Sequence, residues 1–192
     1  MALAVAHYES AYGQLPPRAT GRGNHSWRTT MLPFLDQKEL YDRIDLQQPW
    51  DAEAYAAFRD SAPHLMQCHS REDGTGNTQY FAVVSPNSVW RDAPVAFDDI
   101  TDGKAQTLLF IELDLPNVNW MSPTDVSLES LLTMLSTEGR LPAPHPDVVL
   151  CVFADGAVHS LPHEKITPEL LRAIVSIDGG ESIPNISFGE SN

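Results

Sequence analysis

The chain has 192 residues, with 12 Lys or Arg against 26 Asp or Glu, so its formal net charge is -14. A chain of this length can bury a sizeable core without disulfides or metals to support it. The negative charge repels phosphate backbones, which argues against nucleic acid as a partner. No stretch approaches the roughly 18 consecutive apolar residues that predict a membrane-spanning helix.

The first predicted element is a helix in "MALAVAHYESAYGQLPP", which the Pro16-Pro17 pair ends. The stretch has no N-cap residue and opens directly on apolar side chains such as Leu3 and Val5. We therefore expect it to be the end of a longer helix whose beginning is not in this chain. Two explanations stay open: the chain is trimmed, or the protein natively starts at Met1 and is soluble.

Three shorter helices are predicted to follow. Ser26 is a suitable N-cap for the first of them. Asp36 and Glu39 have the spacing of a capping box, which would start a second helix that ends at Ile44. Asp51 is the expected N-cap of the third.

Strands are predicted in "HLMQC", "TQYFAVVSP" and "QTLLFIELDL", with "SREDGTGN" as an exposed loop between the first two. "DVSLESLLTML" predicts an amphipathic helix, and "TPELLRAIVSI" predicts another with Thr167 as N-cap and Pro168 at its first position. Fifteen Pro and eleven Gly favour a loop-rich protein. This order of elements predicts an α+β fold with a mainly antiparallel sheet, in one domain over residues 1–180 with a polar tail at 181–192.

A β-hairpin is the clearest local prediction. Val148 to Phe153 and Ala157 to Leu161 are its arms, and Asp155-Gly156 predicts a type I′ turn. The first arm is nearly all apolar, which is typical of a strand covered on both faces. His145 stands before the first arm, a strand's length from the turn, so we do not expect it to contact Asp155.

Several stretches together resemble a known family. They are "HYESAYGQLPP", "HSWRTTMLPFLDQKELYDRID", "PWD", "DITDGKAQTLLFIE", "NWMSPTDVSLE" and "HPDVVLCVFADGAVHSL". The family is a domain of unknown function, abundant in planctomycetes, that has a prepilin-like N-terminus and a C-terminal signature of His, nine residues and Asp-Gly. In this chain the signature is His145 followed by Asp155 and Gly156, and the resemblance covers nearly the whole sequence.

The resemblance implies a pilin-like or pseudopilin-like fold, with an N-terminal helix packed on an antiparallel sheet. It implies a non-enzymatic domain outside the cytoplasm that serves assembly or surface presentation in a type II secretion or type IV pilus-like system. Its partners would be other pilin-like subunits or components of the secretion apparatus. An N-terminal helix absent from this chain would anchor the full-length protein in the membrane. The family has also been labelled as solute-binding.

Residues with catalytic chemistry are present, but their spacing matches no catalytic motif. Glu112 ends an apolar strand, so its carboxylate needs a partner, and Arg28 or His145 is expected to be that partner in a structural ion pair. An enzyme would bring a carboxylate within hydrogen-bond reach of His145. The remaining candidates for acid–base chemistry are Asp114, Asp125, Asp155 and His159.

The alternative function is a binding module for a solute or a metal. Its pocket would be lined by Trp27, Arg28, Glu112, Trp120, Asp125 and His145. The competing interpretation is that the tryptophans anchor the core and that His145 shapes the loop before the hairpin. On that interpretation, replacing His145 with Ala lowers thermal stability modestly and leaves metal binding unchanged.

Two further sets of residues offer weaker signals. Asp73, Thr75 and Asn77 alternate as in a calcium loop, but the bidentate Glu of such loops is missing, so a plain loop is favoured and no cofactor is expected. Cys68 and Cys151 are expected to be two buried thiols, with a single disulfide as the alternative.

Overall fold

The computed structural model describes residues 1–22, 24–71, 75–181 and 183. The helices are α1 (Ala2–Tyr12), α2 (Trp27–Met31), α3 (Lys38–Tyr41), α4 (Ala56–Arg59), α5 (Leu128–Glu138) and α6 (Pro168–Val175). The strands are β1 (Ala19–Thr20), β2 (His25–Ser26), β3 (Tyr80–Phe81), β4 (Val83–Val84), β5 (Leu108–Glu112), β6 (Val126–Ser127), β7 (Val148–Phe153) and β8 (Val158–Pro162). The predicted α+β class is therefore confirmed.

The main sheet has four antiparallel strands in the order β3-β5-β7-β8. Its central strand β5 is buried at every residue, as the apolar run "LLFIE" predicts. β1 and β2 form a separate antiparallel pair, while β4 and β6 form a parallel one. The strand predicted in "TQYFAVVSP" is interrupted at Ala82, whose N–H donates to the Asp125 carboxylate instead of to a neighbouring strand.

Apolar side chains are buried in two clusters. The first contains α1 and α2 residues and centres on Trp27, whose ring stacks on Phe110 at 4.6 Å and lies 5.2 Å from that of Trp90. The second packs α5 and α6 against the sheet and includes Phe153 and Ile174. Strand β5 contributes side chains to both clusters and so connects them.

The hairpin is confirmed, but two of its details differ from the prediction. In β7 the buried residues alternate with half-buried ones, so its two faces are not equally covered. The turn is not type I′, because only Gly156 has a positive φ, of 93°. Gly156 N–H donates to Phe153 C=O, and Phe153 N–H donates to Ala157 C=O. This pattern is typical of a three-residue loop with a glycine bulge.

Of the four helix N-caps predicted from the sequence, two are confirmed and two are wrong. The side chains of Ser26 and Thr167 accept hydrogen bonds from the backbone of their helices, as predicted. The capping box at Asp36 is wrong, because Asp36 has φ of 58° and α3 begins after Gln37. Asp51 does not cap either, since the following turn begins after Ala52.

The predicted strand "HLMQC" is also wrong. His64–Met66 forms a single 3-10 turn, which Pro63 precedes with φ of -54°. Most of the predicted polar tail lies outside the described residues. None of the described helices combines the length and the apolar character needed to cross a membrane.

Candidate functional site

Three side chains from distant parts of the sequence meet beside the end of β5. Cys68 Sγ lies 3.6 Å from His145 Nε2, and the same nitrogen lies 3.3 Å from Glu112 Oε2. One ligand atom from each residue lies within 4.8 Å of the other two. Cys68 is 3% exposed and Glu112 is 1% exposed. Among the described residues, it is the group of His, Cys, Asp or Glu side chains whose ligand atoms lie close enough together to hold a metal ion, and we call it the Cys-Glu-His cluster.

Polar contacts of the backbone hold Cys68 in place. Its N–H donates to Gln79 Oε1 at 2.9 Å, and Gln79 directly precedes β3. The preceding residue, Gln67, donates its side-chain amide to the backbone carbonyls of Thr75 and Asn77 at 2.9 and 3.1 Å. The turn that carries Cys68 is thereby attached to the sheet.

Glu112 is fixed by strand pairing. It is the last residue of β5 and stands opposite Tyr80 of β3, and the next backbone N–H, of Leu113, donates to Gln79 C=O at 2.8 Å. Neither carboxylate oxygen of Glu112 has a hydrogen-bond partner among the described residues. A buried carboxylate without hydrogen bonds is costly, so this side chain is not optimised for stability alone.

His145 enters the cluster from the loop before β7. Pro144 and Pro146 flank it and restrict the backbone on both sides. The loop is attached to the sheet by the Asp114 N–H, which donates to Pro142 C=O at 3.0 Å. The His145 side chain is 31% exposed and borders a cavity of about 340 Å³. The cluster is therefore accessible from its His145 side.

Burial and the Glu112 charge act on the neighbouring groups. Desolvation raises the pKa of the Cys68 thiol, and the neighbouring Glu112 carboxylate raises it further. Desolvation, followed by the charge of Glu112, raises the pKa of Cys151 to about 12. The same causes raise the pKa of Tyr80. In the absence of a bound cation both thiols are thus protonated at neutral pH.

The arrangement differs from that of a cysteine nucleophile with a His–Glu relay. Such a relay uses the two ring nitrogens, one toward the thiol and the other toward the carboxylate. Here both contacts converge on Nε2 of His145. A catalytic cysteine also has a lowered pKa, whereas the pKa of Cys68 is raised. Glu112 does lie within reach of His145, but the geometry is that of ligands around a common point.

Three other residues of the predicted pocket form a separate, fully buried network. Arg28 Nη2 donates to Asp125 Oδ1 at 2.7 Å, and both side chains are completely buried. Trp27 Nε1 donates to the same carboxylate at 3.2 Å, and so does the Ala82 N–H at 3.0 Å. Burial raises the pKa of Asp125, and these three donors oppose that shift. This network is a structural anchor between α2 and the segment before β6.

The other contacts of the six predicted pocket residues show that the Arg28–Asp125 network is separate from Glu112 and His145. Arg28 also donates to Tyr80 C=O at 2.7 Å, so strand β3 lies between the Arg28–Asp125 pair and Glu112. Trp120 donates its indole N–H to Phe58 C=O at 2.8 Å in another part of the core. The six residues therefore do not line one pocket, and His145, not Arg28, is the partner of Glu112.

Asp155 and Gly156 of the signature belong to the hairpin turn. The Asp155 carboxylate accepts the Ala157 N–H at 2.9 Å, and the turn lies at the end of β7 opposite to the His145 loop. Cys68 and Cys151 are free thiols, so the disulfide considered from the sequence is not formed. Of the predicted calcium loop, Asp73 lies outside the described residues.

Cys68 was the member of the Cys-Glu-His cluster that the sequence did not reveal. The sequence suggests only Cys151 as a partner for Cys68, because no motif spacing relates Cys68 to residues more than forty positions away. The signal present was chemical: a thiol, a carboxylate at a strand end and a histidine are each metal ligands.

A second surface feature lies beside the start of α1. A groove of about 460 Å³ is bordered by Leu3, Leu65 and Val158, which are 69%, 40% and 49% exposed. Tyr12 is the fourth large apolar side chain that is strongly exposed within the described residues. Three of the four thus border one groove, which Glu112 also lines.

Comparison with known proteins gives one similarity. A family model, SBP_bac_10, described as "Protein of unknown function (DUF1559)", matches residues 1–88. The matched segment includes α1 and Cys68, while Glu112 and His145 lie beyond it. No curated protein and no solved structure matched the chain.

Proposed function

We propose that this chain is a non-enzymatic, pseudopilin-like domain that works outside the cytoplasm in assembly or surface presentation. The observation that carries the proposal is the concentration of exposed apolar side chains at the start of α1. Isolated apolar residues on a surface are ordinary, but several around one groove are typical of an interaction site. The segment that is similar to the family, residues 1–88, includes α1.

The occupant we propose for the groove is the apolar helix of another pilin-like subunit. The groove is lined mainly by apolar side chains, among them Leu150 and Val152 of β7, and α1 itself forms one wall. A helix with an apolar face binds such a surface by burying that face. The charge of -14 disfavours contact between copies through the rest of the surface, which leaves this mainly apolar region for assembly.

The association of subunits tests this proposal in the native cells. A photo-crosslinking residue is placed at Leu3 or Val158, with the exposed α5 residue Glu138 as control position. We expect crosslinks from the two groove positions to a pilin-like subunit or a component of the secretion apparatus, and none from position 138. Equal crosslinking from all three positions, or none from the groove, would refute the proposal.

The alternative function, a binding module, retains part of its predicted pocket. Glu112 and His145 do come together, while Trp27, Arg28 and Asp125 form the buried anchor and Trp120 lies apart. The label of the family model hints at solute binding. The specific observation in favour of binding is the Cys-Glu-His cluster, whose ligand is the subject of the next section.

A further inference from the structure

We propose that Cys68, Glu112 and His145 bind a divalent transition metal of the zinc class. This inference is independent of the assembly function proposed above. It deepens the alternative of a binding module by naming the ligand and by adding Cys68 to the site. Three observations carry it: the separations of the ligand atoms, the buried Glu112 carboxylate that accepts no hydrogen bond from the described residues, and the chemistry of the three donors.

Two of the three separations between ligand atoms agree with tetrahedral coordination. Zinc binds sulfur at about 2.3 Å and nitrogen or oxygen at about 2.0 Å. At tetrahedral angles these bond lengths place sulfur about 3.5 Å from nitrogen and nitrogen about 3.3 Å from oxygen. The observed separations are 3.6 Å between Cys68 Sγ and His145 Nε2 and 3.3 Å between His145 Nε2 and Glu112 Oε2. A metal ion could bind with little rearrangement of these two contacts.

The carboxylate of Glu112 is the second observation. It is 1% exposed, both of its oxygens lack hydrogen bonds, and no Lys or Arg in the described ranges forms an ion pair with it. Arg28 pairs with Asp125, and Arg71 pairs with Asp114. A divalent cation would compensate the buried negative charge, because thiolate, carboxylate and neutral imidazole together carry a charge of about -2.

The donor set decides the class of metal. Sulfur, nitrogen and oxygen ligands together suit zinc and its neighbours in the transition series. Calcium takes six to eight oxygen ligands, and magnesium takes six, so this cluster suits neither. Three protein ligands also leave one coordination position of a tetrahedral ion for an external ligand. The cavity of about 340 Å³ beside His145 gives access for such a ligand.

Titration of the purified, chelator-treated protein with Zn²⁺ tests the site directly. We expect one equivalent to bind, measured by isothermal titration calorimetry, and Ca²⁺ not to compete. Co²⁺ provides a spectroscopic readout, because a cobalt–thiolate bond gives a charge-transfer band in the near ultraviolet. Replacing Glu112 with Gln, or His145 with Ala, should weaken Zn²⁺ binding by at least about a hundredfold, more than loss of an outer-shell contact typically does.

Cys151 provides the matched control for the thiol. Cys68→Ala should abolish the cobalt–thiolate band, while Cys151→Ala should retain it, although both residues are buried thiols. Glu112→Gln is nearly isosteric, and circular dichroism checks that each variant is folded. Absence of stoichiometric Zn²⁺ binding by the native protein would overturn the proposal. So would a band that survives in Cys68→Ala, or Zn²⁺ affinity that is unchanged in folded Glu112→Gln.

Discussion

Two buried carboxylates, Glu112 and Asp125, have opposite surroundings. Asp125 accepts hydrogen bonds from Arg28, Trp27 and Ala82, whereas neither oxygen of Glu112 accepts any within the described part of the chain. A carboxylate satisfied in this way stabilises the fold, while one left unsatisfied reduces stability until something binds it. The difference separates a structural residue from a candidate ligand.

The first prediction concerns the Arg28–Asp125 pair. Asp125→Ala leaves the Arg28 guanidinium buried without its counter-charge, and we expect the free energy of unfolding to fall by about 3–5 kcal/mol. Asp42→Ala is the control, because it breaks the exposed Lys38–Asp42 pair and should cost under about 1 kcal/mol. Urea unfolding measures both. A loss at Asp125 no larger than that at Asp42 would contradict the anchoring role.

The second prediction concerns Glu112 in the metal-free protein. Because its charge is buried without hydrogen bonds, Glu112→Gln should leave stability unchanged or raise it by up to about 2 kcal/mol. A structural ion pair with His145, one of the two partners considered from the sequence, would make the same substitution destabilising. Thermal unfolding in the presence of a chelator distinguishes the two. A melting temperature that falls by several degrees would favour the ion pair.

Short-range signals in the sequence correctly predicted those helix starts and strands that depend on neighbouring residues. Ser26 and Thr167 cap their helices as predicted, and the hairpin has its predicted arms. Tertiary contacts determined the rest. The hairpin turn is held by Ala154 N–H and Asp155 N–H, which donate to the carbonyls of Thr107 and Lys104 in a different segment. No local pattern in the sequence reports such a contact.

The Cys-Glu-His cluster likewise depends on tertiary contacts that no local sequence pattern reports. The apolar strand that Glu112 ends predicts a partner for its carboxylate, with Arg28 and His145 as the two alternatives, whereas the sequence pattern predicts a strand for Cys68. Cys68 instead follows a 3-10 turn at His64–Met66, and the Gln79 side chain accepts a hydrogen bond from the Cys68 N–H. Convergence of three residues over 77 positions depends on the sheet order, which the sequence pattern does not specify.

The third prediction concerns the turn between β7 and β8. Gly156 has φ of 93°, so Gly156→Ala should lower the free energy of unfolding by about 1–2 kcal/mol through backbone strain. An added Cβ meets no atom closer than 4.0 Å, so sterics contribute little. Gly156→Asn should recover part of the loss, because Asn tolerates positive φ better. Equal losses for Ala and Asn would argue against backbone strain as the cause.

The fourth prediction concerns pH and the first turn of α6. The Glu169 carboxylate interacts with its own backbone N–H and with the Thr167 hydroxyl, which lowers its pKa. A pKa lower in the folded state gives stability that is present above the unfolded value, about 4.3, and is lost as pH falls through the folded value. Glu169→Gln should therefore destabilise the protein at pH 7, and the difference from native should shrink as pH falls below about 4.3. Urea unfolding across this range measures it, and a difference independent of pH would contradict the interaction.

At the scale of the whole molecule, assembly and metal binding use neighbouring surfaces. Glu112 belongs to the Cys-Glu-His cluster and also lines the groove beside α1. His145 borders a different cavity. The cluster thus has one member at the groove that we assign to assembly and another at a cavity that small ligands can enter.

The mass and the cellular location of the native gene product test the assembly proposal most directly. We expect a protein longer than this chain or processed at its N-terminus, associated with the membrane and labelled by reagents that do not enter the cytoplasm. Intact mass spectrometry after cell fractionation gives both quantities in one experiment. A soluble cytoplasmic protein that begins at Met1 would contradict the pseudopilin-like account and would leave metal binding as the function to pursue.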